Sequence, residues 1–440
     1  MTAIIGILNK QGVAIAADSA VTRNRGRKGT KYTKNGNKMI RLSNAVPISV
    51  MTAGNAEYLR TPWDLVVRQY RGARGDVRHK SVEDAVQDFF RFISETPVFW
   101  EDNAAPQRWV GHQMDALFNE VREGLGDELE KKDDGSLRRP GAFRRRFAAL
   151  LHDRDRRSLR EGLCPQFVDY PQDRFDECVG AQVDAFFDSL SDDDPDFEFP
   201  WHEDNTIPSG ALDPVKQDFL RSLRIRISSH LADDDASAQL IFTGFGADEE
   251  YPTMITVYVC EGFDRRVNYY YEPRDVVRIS DRNPVAIRAF AQTDVVDAVL
   301  TGCHDEWFDD VMGGANAAFN DTPVLSDEEN ERDFLDIVMD VNICGPRLAP
   351  IRREMMDSFR RERHAWERAL KDSDVRALAD MAELMIALTG FHRIISFEQE
   401  GVGGPVDVAV VTRNDGFTWL NRKSWYHRKD VGGRYGSLGV

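Results

Sequence analysis

Two apolar runs close to the start of the chain, residues 2–8 and 13–17, are separated only by Asn9-Lys10-Gln11-Gly12. Neither run sets an apolar face against a polar one. Two such segments joined by four residues of turn chemistry read as a hairpin, and strands apolar on both faces must be covered on both faces. The second run, Val13-Ala14-Ile15-Ala16-Ala17, is built largely of alanine, which predicts close packing over it. Asp18 ends that strand.

Further along, 23–37 is polar and basic with Gly26, Gly29 and Gly36, and reads as a loop. Residues 38–42 and 47–52 read as strands. Thr61-Pro62 predicts a helix start with Thr61 as cap, and Ser81-Val82-Glu83-Asp84 opens a second helix carrying Phe89, Phe90, Phe92 and Ile93. From 103 to 235 helical patterns dominate and charge is blocky. Arginines at 138, 139, 144–146, 154, 156, 157 and 160 precede an acidic tract, Asp192-Asp193-Asp194-Pro195-Asp196 with Glu198. Those blocks read as pairing with each other on a solvated insertion; the second reading is a partner-docking surface. Strand composition returns at 238–244, 253–260, 267–271 and 276–279. A helical region is expected from about 285 to 394, with a charged helix at 352–371, an apolar one at 377–391, and His304 as a helix residue. Pro405-Val406-Asp407-Val408-Ala409-Val410-Val411 and Gly416-Phe417-Thr418-Trp419-Leu420 make a closing hairpin.

At 440 residues the chain can hold two domains, or one with a large insertion. A net charge of −17 argues against a general phosphate-binding surface, and nucleic acid is not an expected partner. The five cysteines, Cys164, Cys178, Cys260, Cys303 and Cys344, are scattered and show no CxxC, which points to thiols in a reducing compartment. No HExxH or Cys/His spacing predicts a metal. No apolar stretch is long enough for a membrane span, and no secretory leader is read at the start, so the expected location is cytoplasmic.

The segments Thr2-Ala3-Ile4-Ile5-Gly6-Ile7, Gly12-Val13-Ala14-Ile15-Ala16-Ala17-Asp18-Ser19, Asn37-Lys38-Met39-Ile40 and Met51-Thr52-Ala53-Gly54-Asn55-Ala56 together resemble the proteasome β-subunit pattern. The later Phe242-Thr243-Gly244-Phe245-Gly246 and Gly403-Gly404-Pro405-Val406-Asp407 fall where that fold needs strands. The chain looks like a divergent bacterial Ntn hydrolase of this kind. The resemblance implies an α+β fold, a four-layer αββα sandwich of two antiparallel sheets. Its core would be split as 1–102 and 236–440, with a helical insertion at 103–235 and another at about 305–375.

The resemblance also implies roles. With Met1 removed, Thr2 carries a nucleophilic hydroxyl and a free α-amine on one residue, and the amine takes the hydroxyl proton. An α-amine near pKa ~7.7 can be neutral at physiological pH, and Lys38 would favour that form by like-charge repulsion while Asp18 holds the lysine. Ala53 and Gly54 would supply the oxyanion donor, with Met51 and Asn55 beside the substrate. Ser19 and Glu400 are candidate supporting groups. Departures are Ala20 where the family has arginine, Ala53 for glycine, and no serine in 289–293. No cofactor or metal is implied. The expected activity is a threonine-type peptidase or amidohydrolase on peptide or protein substrates. The alternative is a catalytically inactive scaffold or regulator that binds a protein through the helical insertion. Family members form rings, so a homo-oligomer is expected; an ATPase partner is analogy alone, since the chain has no GxxxxGK[ST] loop.

Overall fold

In the computed structural model, the two opening runs form strands β1 (Ala3–Asn9) and β2 (Gly12–Ala17), every residue of both buried. The structure describes residues 3–19, 21–24, 30–33, 37–101, 104–125, 137–190, 211–230, 237–303, 349–395 and 405–423.

The remaining first-half elements are β3 (Val21–Asn24), β4 (Thr30–Thr33), β5 (Met39–Arg41), β6 (Ile48–Gly54), β7 (Glu57–Tyr58), β8 (Thr61–Pro62), α1 (Trp63–Arg74), α2 (Val82–Glu95), α3 (Ala104–Glu123), α4 (Pro140–Glu161), α5 (Gln172–Ser189) and α6 (Lys216–Ser228). The second half adds β9 (Ala238–Gly244), β10 (Thr253–Phe263), β11 (Arg266–Tyr270), β12 (Val276–Arg278), β13 (Val285–Ala291), α7 (Asp294–Thr301), α8 (Ala349–Lys371), α9 (Val375–Ile395), β14 (Asp407–Thr412) and β15 (Gly416–Asn421).

Two antiparallel sheets result. One has the order β13-β1-β2-β14-β15; the other runs β11-β10-β9-β6-β5, with β12 also on β10. Alternation along β1 and β2 shows why both faces had to be apolar. Ile4, Leu8, Val13 and Ile15 meet Met51, Ile241 and Met254 of the second sheet. Ile5, Ile7, Ala14 and Ala16 meet Leu378, Ala382, Met385 and Ile386 of α9. On the far side, Val50, Leu240, Phe242 and Ile255 are covered by Tyr70 of α1 and Phe89 and Phe90 of α2. The layers therefore run helix, sheet, sheet, helix. Gly6 marks the close approach of the sheets, because a Cβ there would lie 2.4 Å from the Met254 methyl.

Three expectations are corrected. Residues 23–37 are not all loop: Val21 to Asn24 pair with Thr33 to Thr30 in a two-stranded ribbon, as Thr30-Lys31-Tyr32-Thr33 favours. Residues 285–291 are a strand, not the start of a helical region. Seven residues of β13 pair with β1, from Ala3 opposite Ala291 to Asn9 opposite Val285. Thr61 is not a helix cap. Leu59 and Arg60 have φ of 44° and 66°, which closes a two-residue hairpin pairing Tyr58 with Thr61, so α1 starts at Trp63 with Pro62 before it. Ser81 does cap α2, in a capping box with Asp84.

Helices α3 to α6 enclose their own core, including Trp109, Leu117, Phe143, Phe147, Phe175 and Phe219, which reaches the sandwich through Cys260, Phe263 and Tyr270. Glu120 ties three of these helices by accepting from Arg154 Nε at 2.6 Å and from Arg226 Nη1. The acidic tract expected to pair with the arginine block, Cys344, and His304 lie outside the described residues. Among the described residues, Cys164, Cys178, Cys260 and Cys303 form no disulfide. No helix among them is long and apolar enough to cross a membrane.

Candidate functional site

Antiparallel pairing brings the beginning of β1 and the end of β2 to one rim of the sandwich, with Ile4 opposite Ala17. Asp18 follows at once. Its backbone N–H donates to the Ala3 carbonyl at 3.1 Å, and its Oδ1 accepts from the Ala3 N–H at 2.9 Å. The chain on both sides of that rim is thus held by one residue. Asp18 is 1% exposed, so its carboxylate needs a partner inside the protein.

That partner is Lys38, which precedes β5 and donates from Nζ to Asp18 Oδ1 at 2.6 Å. Lys38 reaches the rim because its carbonyl accepts from Thr52 N–H at 2.9 Å, fixing it beside β6. Burial holds the Lys38 ammonium below its ordinary value of 10.5, although the Asp18 charge and hydrogen bond oppose that shift. A second lysine, Lys423, pushes in the same direction as burial, and Asp407 opposes it. The result is a buried, ion-paired lysine whose proton is held less tightly than on an exposed one.

β6 arrives at this rim with its last residues. Met51 is buried opposite Met39, Ala53 is buried opposite Gln239, and Gly54 is exposed at the end of the strand. Gly54 has φ of 75°, and a Cβ on it would lie 2.8 Å from the Ser237 carbonyl. Both facts require glycine there. Asn55 donates its N–H to that carbonyl at 2.8 Å, and its Oδ1 accepts from Glu57 N–H at 3.2 Å. Asn55 therefore shapes the turn after β6.

Sequence reasoning missed a second buried ion pair at the same rim. Asp407 opens β14 directly opposite Ala17. Lys423, just past β15, donates to Asp407 twice: backbone N–H to Oδ1 and Nζ to Oδ2, both at 2.7 Å. Lys423 Nζ also donates to Ser19 Oγ at 3.1 Å, and Ser19 Oγ donates to the Pro405 carbonyl at 2.7 Å. Asp407 carries the same signature as Asp18, a carboxylate at the rim end of an apolar strand. That signature is the only local signal the sequence offers. Lys423 has none, because only the fold of the closing hairpin brings it here.

Asp18, Ser19, Lys38, Met51, Ala53, Gly54 and Asn55 are thus described residues, and the Asp18–Lys38 contact joins two of them directly. Thr2 and Glu400 lie outside the described residues. No metal-holding group of three or more His, Cys, Asp or Glu occurs among the described residues.

A scan against models of known protein families finds none that matches, and no curated protein matches either. Among solved structures, the Gly-1 mutant of Anbu from Hyphomicrobium sp. strain MC1 aligns over 96% of this chain and 86% of its own, at 10% identity and a TM-score of 0.26. A likeness of that size carries no weight for fold or function.

Proposed function

We propose that the chain is an N-terminal-threonine hydrolase of amide bonds, a proteasome-like peptidase of the Ntn type, acting through Thr2 after removal of Met1. The observation that carries the proposal is one buried carboxylate, Asp18, that binds both the N–H of Ala3, the residue joined to Thr2, and the ammonium of Lys38. The helix-sheet-sheet-helix layering accords with the fold that the opening segments resemble. A hydrolase of this type needs a neutral α-amine beside a hydroxyl. A cation held near that amine lowers its proton affinity, and burial raises the strength of that effect.

In the proposed reaction Thr2 Oγ attacks the scissile carbonyl carbon as the α-amine accepts the hydroxyl proton. Negative charge develops on the carbonyl oxygen, where backbone N–H groups of the Ala53-Gly54 turn would stabilise it. Collapse breaks the C–N bond, and the α-ammonium returns its proton to the leaving amine. Water, deprotonated by the same amine, then cleaves the Thr2 ester, so every proton and electron pair is returned.

Intact mass and a threonine-directed electrophile test this together. Active protein is expected to begin at Thr2 and to gain one label on it. Thr2→Ala is expected to abolish labelling and to lower peptide turnover by at least roughly 10³-fold, while Thr2→Ser keeps part of both. A functional protein that still carries Met1 would defeat the proposal and favour a non-catalytic scaffold.

A further inference from the structure

Asp407 and Lys423 come from the two ends of the closing hairpin, far along the chain, yet they are buried at the rim that holds Asp18 and Lys38. Lys423 is 7% exposed and Asp407 3%. Placing two more charges in a rim already holding an ion pair is costly, and a well-packed apolar pair would serve stability as well or better. A structural role alone therefore gives little reason for this second pair.

The local geometry is also built for this contact. β15 carries a bulge: Asn421 pairs with Val408 but Trp419 pairs with Ala409, so Leu420 is an extra residue on that strand. A bulge re-aims the chain that follows it. Here the chain that follows carries Lys423, whose backbone N–H and Nζ both meet Asp407. From that anchor Nζ reaches Ser19 Oγ, and Ser19 adjoins Asp18. The Pro405 carbonyl accepts from the same hydroxyl, so Ser19 is gripped from both ends of the closing hairpin.

We propose that Lys423 and Asp407 are positioning residues of the candidate site, with Lys423, anchored on Asp407, clamping Ser19 and thereby Asp18, and with the two charges adding opposed contributions to the dominant one of Asp18 at Lys38. The proposal deepens the hydrolase reading and rests on it for its activity readout, but its electrostatic part stands apart from that reading. Among the described residues, the charged groups acting on Lys38 are Asp18 after β2, Asp407 on β14 and Lys423 after β15. The two new members act on it with opposite sign. Loss of Lys423 strengthens the hold of Lys38 on its proton, and loss of the Asp407 charge weakens it. On the hydrolase reading, the proton affinity of the Thr2 α-amine is expected to follow that of Lys38.

The test uses the full mature chain as wild type, Lys423→Met, Lys423→Arg and Asp407→Asn. The first readout is the Lys38 titration, followed by NMR of ¹³Cε-lysine and assigned with Lys38→Arg. The second is the pH profile of Thr2 labelling by the electrophile. Lys423→Met is expected to move the Lys38 midpoint and the acidic limb of the labelling profile to higher pH, slowing labelling at neutral pH about tenfold. Asp407→Asn is expected to move both to lower pH, and Lys423→Arg to restore near wild-type behaviour. Unchanged midpoints in folded Lys423→Met, or movement of Asp407→Asn in the same direction as Lys423→Met, would overturn the proposal. If Lys423→Met does not fold, the sign of the Asp407→Asn shift and the Lys423→Arg rescue decide the matter. A wild type that is never labelled, combined with the expected Lys38 shifts, would sink the hydrolase reading and leave the charge coupling intact.

Discussion

Lys38 and Asp18 illustrate how a buried pair can be costly to keep and costlier to break. Lys38 is held below 10.5 chiefly by burial, so its net electrostatic balance in the fold is unfavourable to the charged form despite a 2.6 Å contact. Removing the lysine alone takes from the buried Asp18 carboxylate its 2.6 Å cation and leaves its charge more poorly compensated. Lys38→Met is therefore expected to lower unfolding free energy by about 3–5 kcal/mol, and Asp18→Asn/Lys38→Met by clearly less, as measured by chemical denaturation. The sign with pH follows from the same shift. A lysine depressed in the fold adds stability above its unfolded value and loses it as pH falls through its folded value, so the Lys38 contribution to wild-type stability rises between its depressed folded value and about 10.5, and the variant lacks that contribution. Asp18 and Lys38 stood out in the sequence as charged residues at strand ends and Gly54 as a glycine closing a strand; the structure joins the first two at 2.6 Å and gives Gly54 a positive φ. Glu400 was the sequence-level choice for a late acidic group, and it lies outside the described residues. Asp407 is the late acidic residue that the structure places at the rim. Distance along the chain hid its link to Lys423 and Ser19.

At the scale of elements, composition found the strongly apolar strands and several mixed ones, but missed the β3–β4 ribbon and β13. β13 holds an arginine and three alanines in Val285-Ala286-Ile287-Arg288-Ala289-Phe290-Ala291, a mixture that suits a helix equally well. What makes it a strand is the long edge of β1 beside it, which no local window contains. The same limit applies to the helical block, where amphipathic pattern finds α3 but not the surroundings of its polar residues. Asp115 on α3 is pushed up to about 6, mainly by burial, with His112 pulling the other way. A carboxyl raised in the fold favours folding while protonated, and that benefit is lost as pH rises from 3.8 through about 6. Asp115→Asn is therefore expected to stabilise the protein at pH 7.5 by about 1 kcal/mol, allowing for partial solvent screening, and to change little at pH 4. Thermal melts at the two pH values check this, and equal effects at both would contradict it.

Across the whole molecule, sheet order separates sequence neighbours and joins distant ones. β2 lies between β1 and β14, and β14 lies between β2 and β15. The ladder from Val13 to Ala17 is complete only once residues 407–411 have paired with it. Until then β2 is an apolar edge strand with unpaired backbone groups, the kind of edge that recruits other chains. A chain ending at residue 404 is expected to sediment as soluble aggregates or pellet, whereas the full chain does not; a monodisperse truncated protein would refute this. During synthesis the same order sets a clock. At 5–20 residues per second the opening hairpin waits roughly 20–80 s for its central partner to leave the ribosome. An early strand that matures so late exposes the nascent chain to mispairing with its neighbours on a polysome, and any holding factor that shields it would act on the first hairpin, long before the rim that hairpin helps to build exists.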